Sequence, residues 1–383
     1  MYRKFLVNDR CLYRGAGGVS VYLRNVLEHW PEDAAAVPTG FCSSLPPLLR
    51  RPAGLKRPKP GPLRLRPLSA LGDPRRLARR TPQPMRRLLQ CGYARLYARR
   101  YRRGKFSASF EPNHLAVGVD GPVVTVIHDL SVLENPQWHP PDRVAYWRAE
   151  LEKTLEVTSR WITVSQFTRR RMAGLLSIPP ELVTVTPLAA RPLPPPAETA
   201  EELPPRYVLH LGVIEPRKNI ELLLDAWSQL PGGFRREVRL VLAGGGGWGG
   251  EDFFKRLVTH PVAEEVLHTG HVGERDTATL LNAAAALVAP SWYEGFGLPI
   301  VEAMAAGVPV LCSTAEAFAE VAGDAGVRLP PDEAGRWSEA IRRVLEDGDW
   351  WSGLSRAGRA RAALFDWRET ARRTEEVIRS VMP

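Results

Sequence analysis

The sequence predicts an α/β protein built from two doubly wound domains that face each other across a cleft. Apolar runs typical of buried parallel strands alternate with segments of helical periodicity along most of the chain. A proline-rich stretch over residues 187–205 interrupts this alternation and is typical of an interdomain linker. The 383 residues are also long for a single hydrophobic core. We therefore expect one domain over residues 1–195 and another over 196–364, with a C-terminal helix, about 365–383, packing back on the first.

Composition places the chain among soluble globular proteins. Hydrophobic residues make up 44% and charged residues 25% of it, which are ordinary values. No apolar run approaches the roughly 20 residues of a membrane-spanning helix, and the apolar stretch near the N-terminus is too short for a signal peptide. The four cysteines are scattered without a Cys-x-x-Cys pair. We expect reduced thiols in a cytoplasmic protein, with neither disulfides nor a metal site.

The positive charge is concentrated in one block. The net charge is +10, yet the segment from Arg50 to Lys105 holds 19 Lys and Arg residues against one acid, Asp73. The first part of this block, Leu45 to Arg80, is rich in proline and arginine and predicts a poorly ordered loop or surface excursion.

The second part of the block has the pattern of an amphipathic helix. Its predicted apolar face comprises Met85, Leu88, Leu89, Tyr93, Leu96, Tyr97 and Tyr101, with Arg86, Arg87, Arg95, Arg99 and Arg100 around it. One interpretation is a core-packed helix with a solvated basic rim; another is attachment to an anionic membrane surface. Nucleic acid is disfavoured, because no nucleic-acid-binding motif accompanies the charge.

The first domain places two polar segments after predicted strands. Lys4 to Val7 reads as a strand and is followed by a glycine-rich turn with Gly17 and Gly18, whose backbone N–H groups suit a phosphate or sugar. This turn lacks the Gly-x-Gly-x-x-Gly pattern, so a dinucleotide fingerprint is weak. A second strand, Val123 to Ile127, leads directly into His128 and Asp129. Those side chains either cap the next segment or line a ligand cleft.

The second domain repeats this organisation. The strand Tyr207 to Leu211 is followed by Arg217 and Lys218, just before a helix. They form either a surface basic pair or an anion-binding site. The strand Val238 to Ala243 ends on the glycine-rich residues 244–250, and a further short strand with its turn ends at Val272.

The stretch from Pro290 to Pro309 brings two carboxylates to the start of a helix. Glu294 lies on a loop bounded by glycines, and Glu302 lies about one turn into a helix that starts near Pro299 and stops at Gly307. A helix N-terminus suits an anion such as a diphosphate, and the two carboxylates could accept from sugar hydroxyls. On spacing alone, a loop with solvated glutamates before a core helix is the favoured interpretation.

Together these segments resemble glycosyltransferase family 4, the retaining GT-B enzymes that use nucleotide sugars. The residues that carry the resemblance are Gly17-Gly18, Val126-Ile127-His128-Asp129-Leu130, Glu215-Pro216-Arg217-Lys218-Asn219, and Pro290 to Pro299 with Glu302, which is similar to the family's Glu-x7-Glu motif. The match extends over nearly the whole chain, up to Phe365-Asp366-Trp367. The Arg-Lys segment is most similar to that of bacterial mannosyltransferases and rhamnosyltransferase-like enzymes of lipopolysaccharide or exopolysaccharide assembly.

The resemblance implies a role for each position. Glu302 would accept from the ribose, Glu294 from the donor sugar, and Arg217 with Lys218 would neutralise the leaving diphosphate in place of a metal, so no cofactor is expected. Val272 would lie at the base, His128 at the transferred sugar, Asp129 on the acceptor side, and Gly17 and Gly18 at the diphosphate. Gly295, Phe296, Gly297 and Leu298 complete the predicted substrate-binding set. Many members of the family carry an arginine directly after the glycine that corresponds to Gly212; this chain has Val213 there instead.

The favoured hypothesis is a cytoplasmic retaining hexosyltransferase of bacterial cell-surface polysaccharide biosynthesis. It would move a hexose, with mannose from GDP-mannose as the leading candidate, onto a glycan or lipid-linked acceptor, and the Arg50 to Lys105 block would dock it on the inner leaflet. The alternative is a protein that binds polyanions or nucleic acid on an inactive transferase fold. A nucleotide-dependent dehydrogenase is a third option, against which the incomplete glycine fingerprint counts.

Overall fold

The computed structural model describes residues 3–13, 17–42, 65–70, 83–195, 203–249 and 251–383. Within them, thirteen strands form two sheets. The strands are β1 (Arg3–Val7), β2 (Ala36–Gly40), β3 (Arg66–Pro67), β4 (Ala108–Glu111), β5 (Val123–Ile127), β6 (Thr158–Thr163), β7 (Val183–Val185), β8 (Tyr207–Leu211), β9 (Arg239–Ala243), β10 (Leu267–Gly270), β11 (Ala286–Ala289), β12 (Val310–Ser313) and β13 (Val327–Leu329).

The helices lie mostly between consecutive strands. They are α1 (Gly18–Glu28), α2 (Gln83–Gly104), α3 (Ser131–Glu134), α4 (Pro141–Val157), α5 (Gln166–Leu176), α6 (Ile220–Ser228), α7 (Gly232–Glu237), α8 (Glu251–Val258), α9 (Glu274–Ala283), α10 (Leu298–Ala306), α11 (Glu316–Ala322), α12 (Ala334–Glu346), α13 (Gly348–Ala362) and α14 (Trp367–Ser380).

The first sheet is parallel and has the strand order β2-β1-β4-β5-β6-β7. Its central strand β5, with the sequence VVTVI, is buried at every position, as expected for a strand covered by helices on both faces. Because all strands run the same way, the turns after β1, β4 and β5 meet at one edge. The glycine turn and the His128-Asp129 pair therefore share that edge.

The second sheet has the order β13-β12-β11-β8-β9-β10-β3 and is parallel except for β3. Arg66–Pro67 pairs antiparallel with Leu267 and His268, and the buried Leu68 packs in the core of this sheet. Leu45 to Arg80 was expected to be a poorly ordered loop or a surface excursion; residues 65–70 are ordered against the second sheet, and the rest of that range lies outside the described residues. A short piece of the first 195 residues thus belongs to the second sheet, since Leu68 gains burial there.

The C-terminal helix α14 lies against the first domain. It packs on α1, and the indole N–H of Trp367 donates to the carbonyl of Ala190 at 3.0 Å. The hydroxyl of Thr370 donates to the carbonyl of Pro187 at 2.5 Å. The chain therefore passes between the two sheets on either side of β3, again between β7 and β8, and once more before α14.

Helix α2 combines a packed face with a basic one. Tyr97 and Tyr101 are buried in a cluster with Leu6 and Phe41, while Arg95, Arg99 and Arg100 are exposed. Leu96 was expected on the packed face, but 46% of it is exposed, because it lies one position off the tyrosine stripe. Met85, Leu88, Leu89, Arg86 and Arg87 lie outside the side chains that the structure describes. No helix of the described residues is long and apolar enough to cross a membrane.

Candidate active site

The segment after β11 forms the loop and helix that the sequence predicts. Gly297, with φ of +111°, precedes α10, and Pro299 lies in its first turn. Gly307, with φ of +79°, ends it in the left-handed conformation that glycine adopts without strain. Glu294 is 8% exposed and Glu302 is 3% exposed. The interpretation of solvated glutamates is therefore wrong, and each buried carboxylate needs a partner.

Glu294 pairs with the two basic residues that follow β8. Its Oε2 lies 2.7 Å from Arg217 Nη1, and its Oε1 lies 2.5 Å from Lys218 Nζ. Ser291 Oγ donates to the same Oε1 at 3.1 Å. The interpretation of Arg217 and Lys218 as a surface pair is wrong, because their side chains are only 14% and 11% exposed.

Arg217 is shared between two glutamates. Its Nε lies 2.6 Å from Oε1 of Glu215, and its Nη1 also donates to the carbonyl of Tyr293 at 3.1 Å. Burial alone would raise the pKa of Glu294, but Arg217 and Lys218 lower it to about 2. Burial raises the pKa of Glu215 despite Arg217. The cluster thus keeps two cations fixed beside an ionised carboxylate.

Glu302 has a partner that no sequence motif indicates. Arg191, from the linker between the sheets, donates from Nε to Oε1 at 2.5 Å and from Nη2 to Oε2 at 3.2 Å. This fork orients the carboxylate, and each oxygen keeps a further lone pair for a ligand. Burial raises the pKa of Glu302, and Arg191 opposes the shift. No short motif marks Arg191; its position in a proline-rich linker conceals it.

His128 and Asp129 approach the Glu294 segment from the first domain. A Cβ added to Gly295 would lie 1.8 Å from the carbonyl oxygen of His128, so only glycine permits this contact. Asp129 Oδ1 accepts from the backbone N–H and the hydroxyl of Ser131, at 3.0 and 2.7 Å. Burial would raise the pKa of Asp129, but Arg217 and His114 hold it well below its ordinary value. Asp129 therefore caps its own turn and also faces the cations of the second domain.

His128 has a defined tautomer. Its Nε2 lies 2.8 Å from the carbonyl of Pro112, which can only accept, so Nε2 carries the proton. Burial lowers the pKa of His128, which keeps the ring neutral. Tyr22 packs edge-on against it with ring centroids 5.0 Å apart. Nδ1 of His128 is therefore a lone pair available as an acceptor.

The remaining predicted residues occupy the same edge of the two sheets. Gly17 and Gly18 form the start of α1, and a Cβ at either would meet nothing within 4 Å, so the space beside them is open. Val272 is half-buried between β10 and α9. The ring of Phe296 is buried and packs edge-on against Phe365. At this position only the backbone is therefore available to a ligand. Leu298 begins α10.

Direct contacts join the two domains around this site. Ser165 caps α5, and Glu320 of the second domain accepts from the N–H groups of Gln166 and Phe167 at 2.7 and 3.0 Å. The hydroxyl of Tyr293 donates to Glu134 at 2.9 Å. A carboxylate at a helix N-terminus is stabilised by the helix dipole. The described conformation is therefore held together by specific polar contacts across the cleft.

The chain is similar in sequence to known glycosyl transferases. A model of the family "Glycosyl transferases group 1" matches residues 196–361. O-antigen chain mannosyltransferase B of Escherichia coli is 37% identical over 261 residues, covering 66% of this chain and 68% of that protein. The serotype-specific mannosyltransferase WbdA of Escherichia coli is 32% identical over 171 residues, or 44% of this chain and 21% of its own length.

Solved structures share the fold at low sequence identity. Anabaena Alr3699/HepE in complex with UDP and glucose superposes with a TM-score of 0.71 at 20% identity, covering 99% of this chain and 100% of that one. WaaG, a glycosyltransferase involved in lipopolysaccharide biosynthesis, gives 0.68 at 16% identity, covering 98% and 99%. The architecture is the GT-B fold, which confirms the predicted fold class.

Proposed function

We propose a specific activity for this chain, which belongs to the glycosyl transferases of group 1: retaining transfer of mannose from GDP-mannose to a glycan or lipid-linked saccharide of the bacterial cell surface. One observation carries the donor half of this proposal. Arg217 and Lys218 are buried and fixed on both oxygens of Glu294, beside the N-terminus of α10. The names of the relatives, two mannosyltransferases of Escherichia coli, support mannose as the sugar.

The donor would lie along the carboxyl edge of the second sheet. Its ribose would donate to Glu302, with Val272 at the base, and its diphosphate would lie against Arg217, Lys218 and the open turn of Gly17 and Gly18. Glu294 would accept from the sugar hydroxyls, with the backbone of Gly295 to Leu298 around them. His128 Nδ1 would accept from the same sugar, and Asp129 would face the acceptor. Each group is assigned to a part of the donor that it can bind in its present state: the carboxylates and His128 Nδ1 accept hydrogen bonds from hydroxyls, and the two cations face the diphosphate.

The chemistry needs fixed positive charge more than an acid–base pair. The acceptor hydroxyl oxygen forms the bond to the anomeric carbon while the bond from that carbon to the phosphate oxygen breaks. The hydroxyl proton passes to the departing diphosphate, which keeps the step balanced. Attack from the face that the diphosphate leaves retains configuration. Negative charge grows on the leaving oxygen, so Arg217 and Lys218, already held in place, stabilise the transition state more than the ground state. No metal is required for this step.

A nucleotide-sugar panel tests the donor. We expect GDP and GDP-mannose to raise the melting temperature of the purified protein more than UDP- or ADP-sugars do, because a bound ligand stabilises the folded state by mass action. Stabilisation by a UDP-sugar alone would replace GDP-mannose as donor and leave the transferase assignment intact. Lys218→Ala should abolish transfer while the protein stays folded; near-normal turnover would overturn the role of Lys218.

We propose further that the exposed basic face of α2 docks the protein on an anionic membrane. Arg95, Arg99, Arg102 and Arg103 are exposed there, together with Leu96. Each basic residue near such a surface adds about 1 kcal/mol. Vesicles containing anionic lipid should retain the protein at physiological salt, and neutral vesicles should not. Equal retention by single-stranded DNA beads would favour the polyanion-binding alternative.

A further inference from the structure

Four buried polar atoms without partners converge where the two domains meet beside Glu294. They are Nδ1 of His139 and Nε of Arg143 from the first domain, and Oε2 of Glu215 and Nε1 of Trp248 from the second. None has a hydrogen-bond partner among the described residues. A buried polar atom left without a partner destabilises the folded protein. A cluster of four at one interface therefore indicates a site for a ligand.

The position of Trp248 follows from the pairing of two loops. Beyond the ends of β8 and β9, Ile214 N donates to Gly245 O at 3.0 Å, and Gly247 N donates to Ile214 O at 2.9 Å. A Cβ on Gly247 would lie 2.5 Å from Val213 and 3.3 Å from the Cβ of Glu215. The glycine-rich loop thus runs along the segment that carries Glu215 and Arg217, and it directs Trp248 toward the first domain.

Trp248 meets the first domain through two side chains. The guanidinium carbon of Arg143 lies 4.4 Å from the centre of the indole ring, and the ring of His139 lies 5.5 Å from it. Arg143 makes no ion pair with any described residue, although Asp129, Glu215 and Arg217 are near enough to affect its pKa. A cation–π contact offsets only part of the cost of burying an arginine.

The chemistry of the four atoms distinguishes the ligand. Ser131 donates its hydroxyl proton to Asp129 at 2.7 Å, so it accepts from Nε2 of His139, 3.1 Å away. Nδ1 of His139 is consequently a lone pair, and burial lowers the pKa of this ring to about 4, which keeps it neutral at pH 7. Arg143 and Trp248 offer donors, whereas His139 and Glu215 offer acceptors. A phosphodiester or a fully ionised phosphate has no proton for those acceptors, whereas a sugar hydroxyl both donates and accepts.

We propose that His139, Arg143, Glu215 and Trp248 form the subsite that holds the neutral saccharide end of the acceptor. This inference rests on the proposed transferase function and deepens it. The subsite lies next to Arg217 and so places an acceptor hydroxyl beside the donor sugar. Its members come from both domains, so the ligand enters when the domains separate and is enclosed when they meet.

The test measures saccharide binding directly. Wild-type protein saturated with GDP is titrated with α-linked mannobiose and mannotriose by calorimetry. A separate titration with pyrophosphate asks whether an anion binds at the subsite instead of a neutral saccharide. We expect saccharide binding that weakens at least tenfold in Arg143→Met and about fivefold in Trp248→Phe, which keeps the ring and loses the N–H. Affinity for GDP should stay within twofold in both variants. Absence of neutral-saccharide binding by the wild type, or unchanged binding by both variants, overturns the subsite.

A second cation–π pair supplies a matched control. Arg343 lies 4.3 Å from the ring centre of Trp350 on the outer helices of the second domain. Arg343→Met and Trp350→Phe make the same chemical changes outside the cleft, and saccharide binding should not change. In transfer assays, Arg143→Met should raise KM for the acceptor about tenfold and leave KM for the donor within twofold. A wild type that binds saccharide without transferring sugar would count against the transferase proposal and not against the subsite.

Discussion

The two halves of the molecule hold a buried glutamate in opposite ways. Glu294, in the second half, lies between Arg217 and Lys218, and its pKa is about 2. Glu111, at the carboxyl end of β4 in the first half, accepts from the neutral side chains of Asn8 and Ser109 at 2.5 and 3.1 Å. Burial raises its pKa to about 8, and these hydrogen bonds oppose the shift only in part.

The difference indicates which glutamate lies where an anionic ligand would be stabilised. Fixed cations around an ionised carboxylate suit the diphosphate end of a donor, where negative charge must be stabilised. Glu111 instead lies among amide and hydroxyl donors, which leave its pKa raised. Glu302 lies between these cases, because a single cation, Arg191, faces it. The two buried glutamates beside and within α10 therefore have fixed cations as partners, whereas Glu111 is held by neutral donors.

Removing the charge of Glu294 tests the donor side and should have the largest effect. Glu294→Gln keeps the shape but leaves Arg217 and Lys218 without their shared anion, so both are free to shift. We expect kcat to fall about 10²–10³-fold, the size typical of losing one preorganised electrostatic group. Turnover with the identified donor is the measurement, and circular dichroism checks the fold. Glu265→Gln breaks a similar ion pair with Arg235 and should leave kcat within twofold; an equal loss there would contradict the assignment.

Glu111 should make stability depend on pH in the opposite sense to Glu294. Its folded-state pKa of about 8 lies above the ordinary 4.5, so the folded protein holds the proton more tightly. The resulting stabilisation is present below about pH 4.5 and is lost as pH rises through about 8, at about 1.4 kcal/mol per pH unit at most. Urea unfolding at pH 6 and 8.5 should show a steeper decline for wild type than for Glu111→Gln.

The same unfolding series contains its own comparison. Glu339→Gln, at an exposed position on α12, should leave the decline unchanged. Glu294, whose pKa is lowered, contributes stability above about pH 4.5 that is lost as pH falls toward 2. Parallel curves for wild type and Glu111→Gln between pH 6 and 8.5 would mean that Glu111 stays ionised and that the contrast between the two halves is wrong.

The donor side could be predicted because its residues lie in short segments that directly follow strands. Arg217 and Lys218 come after β8, and Glu294 after β11; parallel strands bring such segments to one edge without further information. That edge, the two sheets and the ends of α10 were predictable from periodicity, proline and glycine. The roles of these residues stay predictions.

The partners of the buried groups could not be predicted. Arg191 and Glu302 are 111 positions apart, and no periodicity says which of many arginines reaches a given carboxylate. The neutral tautomer of His139 depends on whether the hydroxyl of Ser131 donates to Asp129 or to His139, and only the three-dimensional contacts show this. The strands β7 and β13 carry only three residues each, too few for a pattern, and β2 contains Pro38 and ends on Gly40, which disguise it as a turn. Helix α13 was missed because glycines interrupt its helical pattern.

Arg191 should act on nucleotide binding through Glu302, with an intermediate effect. Arg191→Met leaves a buried carboxylate whose pKa burial already raises, so protonation removes one acceptor for the ribose. We expect about tenfold weaker binding of the nucleoside diphosphate, worsening as pH falls from 8 to 6. Wild type should discriminate against the 2′- and 3′-deoxy nucleotides, and the variant should discriminate less. Arg191→Lys keeps the charge without the fork and should show weaker binding without the pH dependence. Full discrimination in Arg191→Met would contradict the link to Glu302.

An exposed ion pair across the same cleft should have the smallest effect. Arg24 of α1 lies 2.5 Å from Glu274 of α9, but the side chains are 40% and 49% exposed. Solvent screens such a pair, and the entropy of holding two long side chains offsets much of the attraction. Arg24→Gln should change the free energy of unfolding by less than about 1 kcal/mol and kcat by less than twofold. Urea unfolding and turnover at low and high salt measure both quantities. A loss of kcat comparable to that in Glu294→Gln would mean that turnover depends on any ion pair across the cleft, and not on the buried pairing of Glu294 with Arg217 and Lys218.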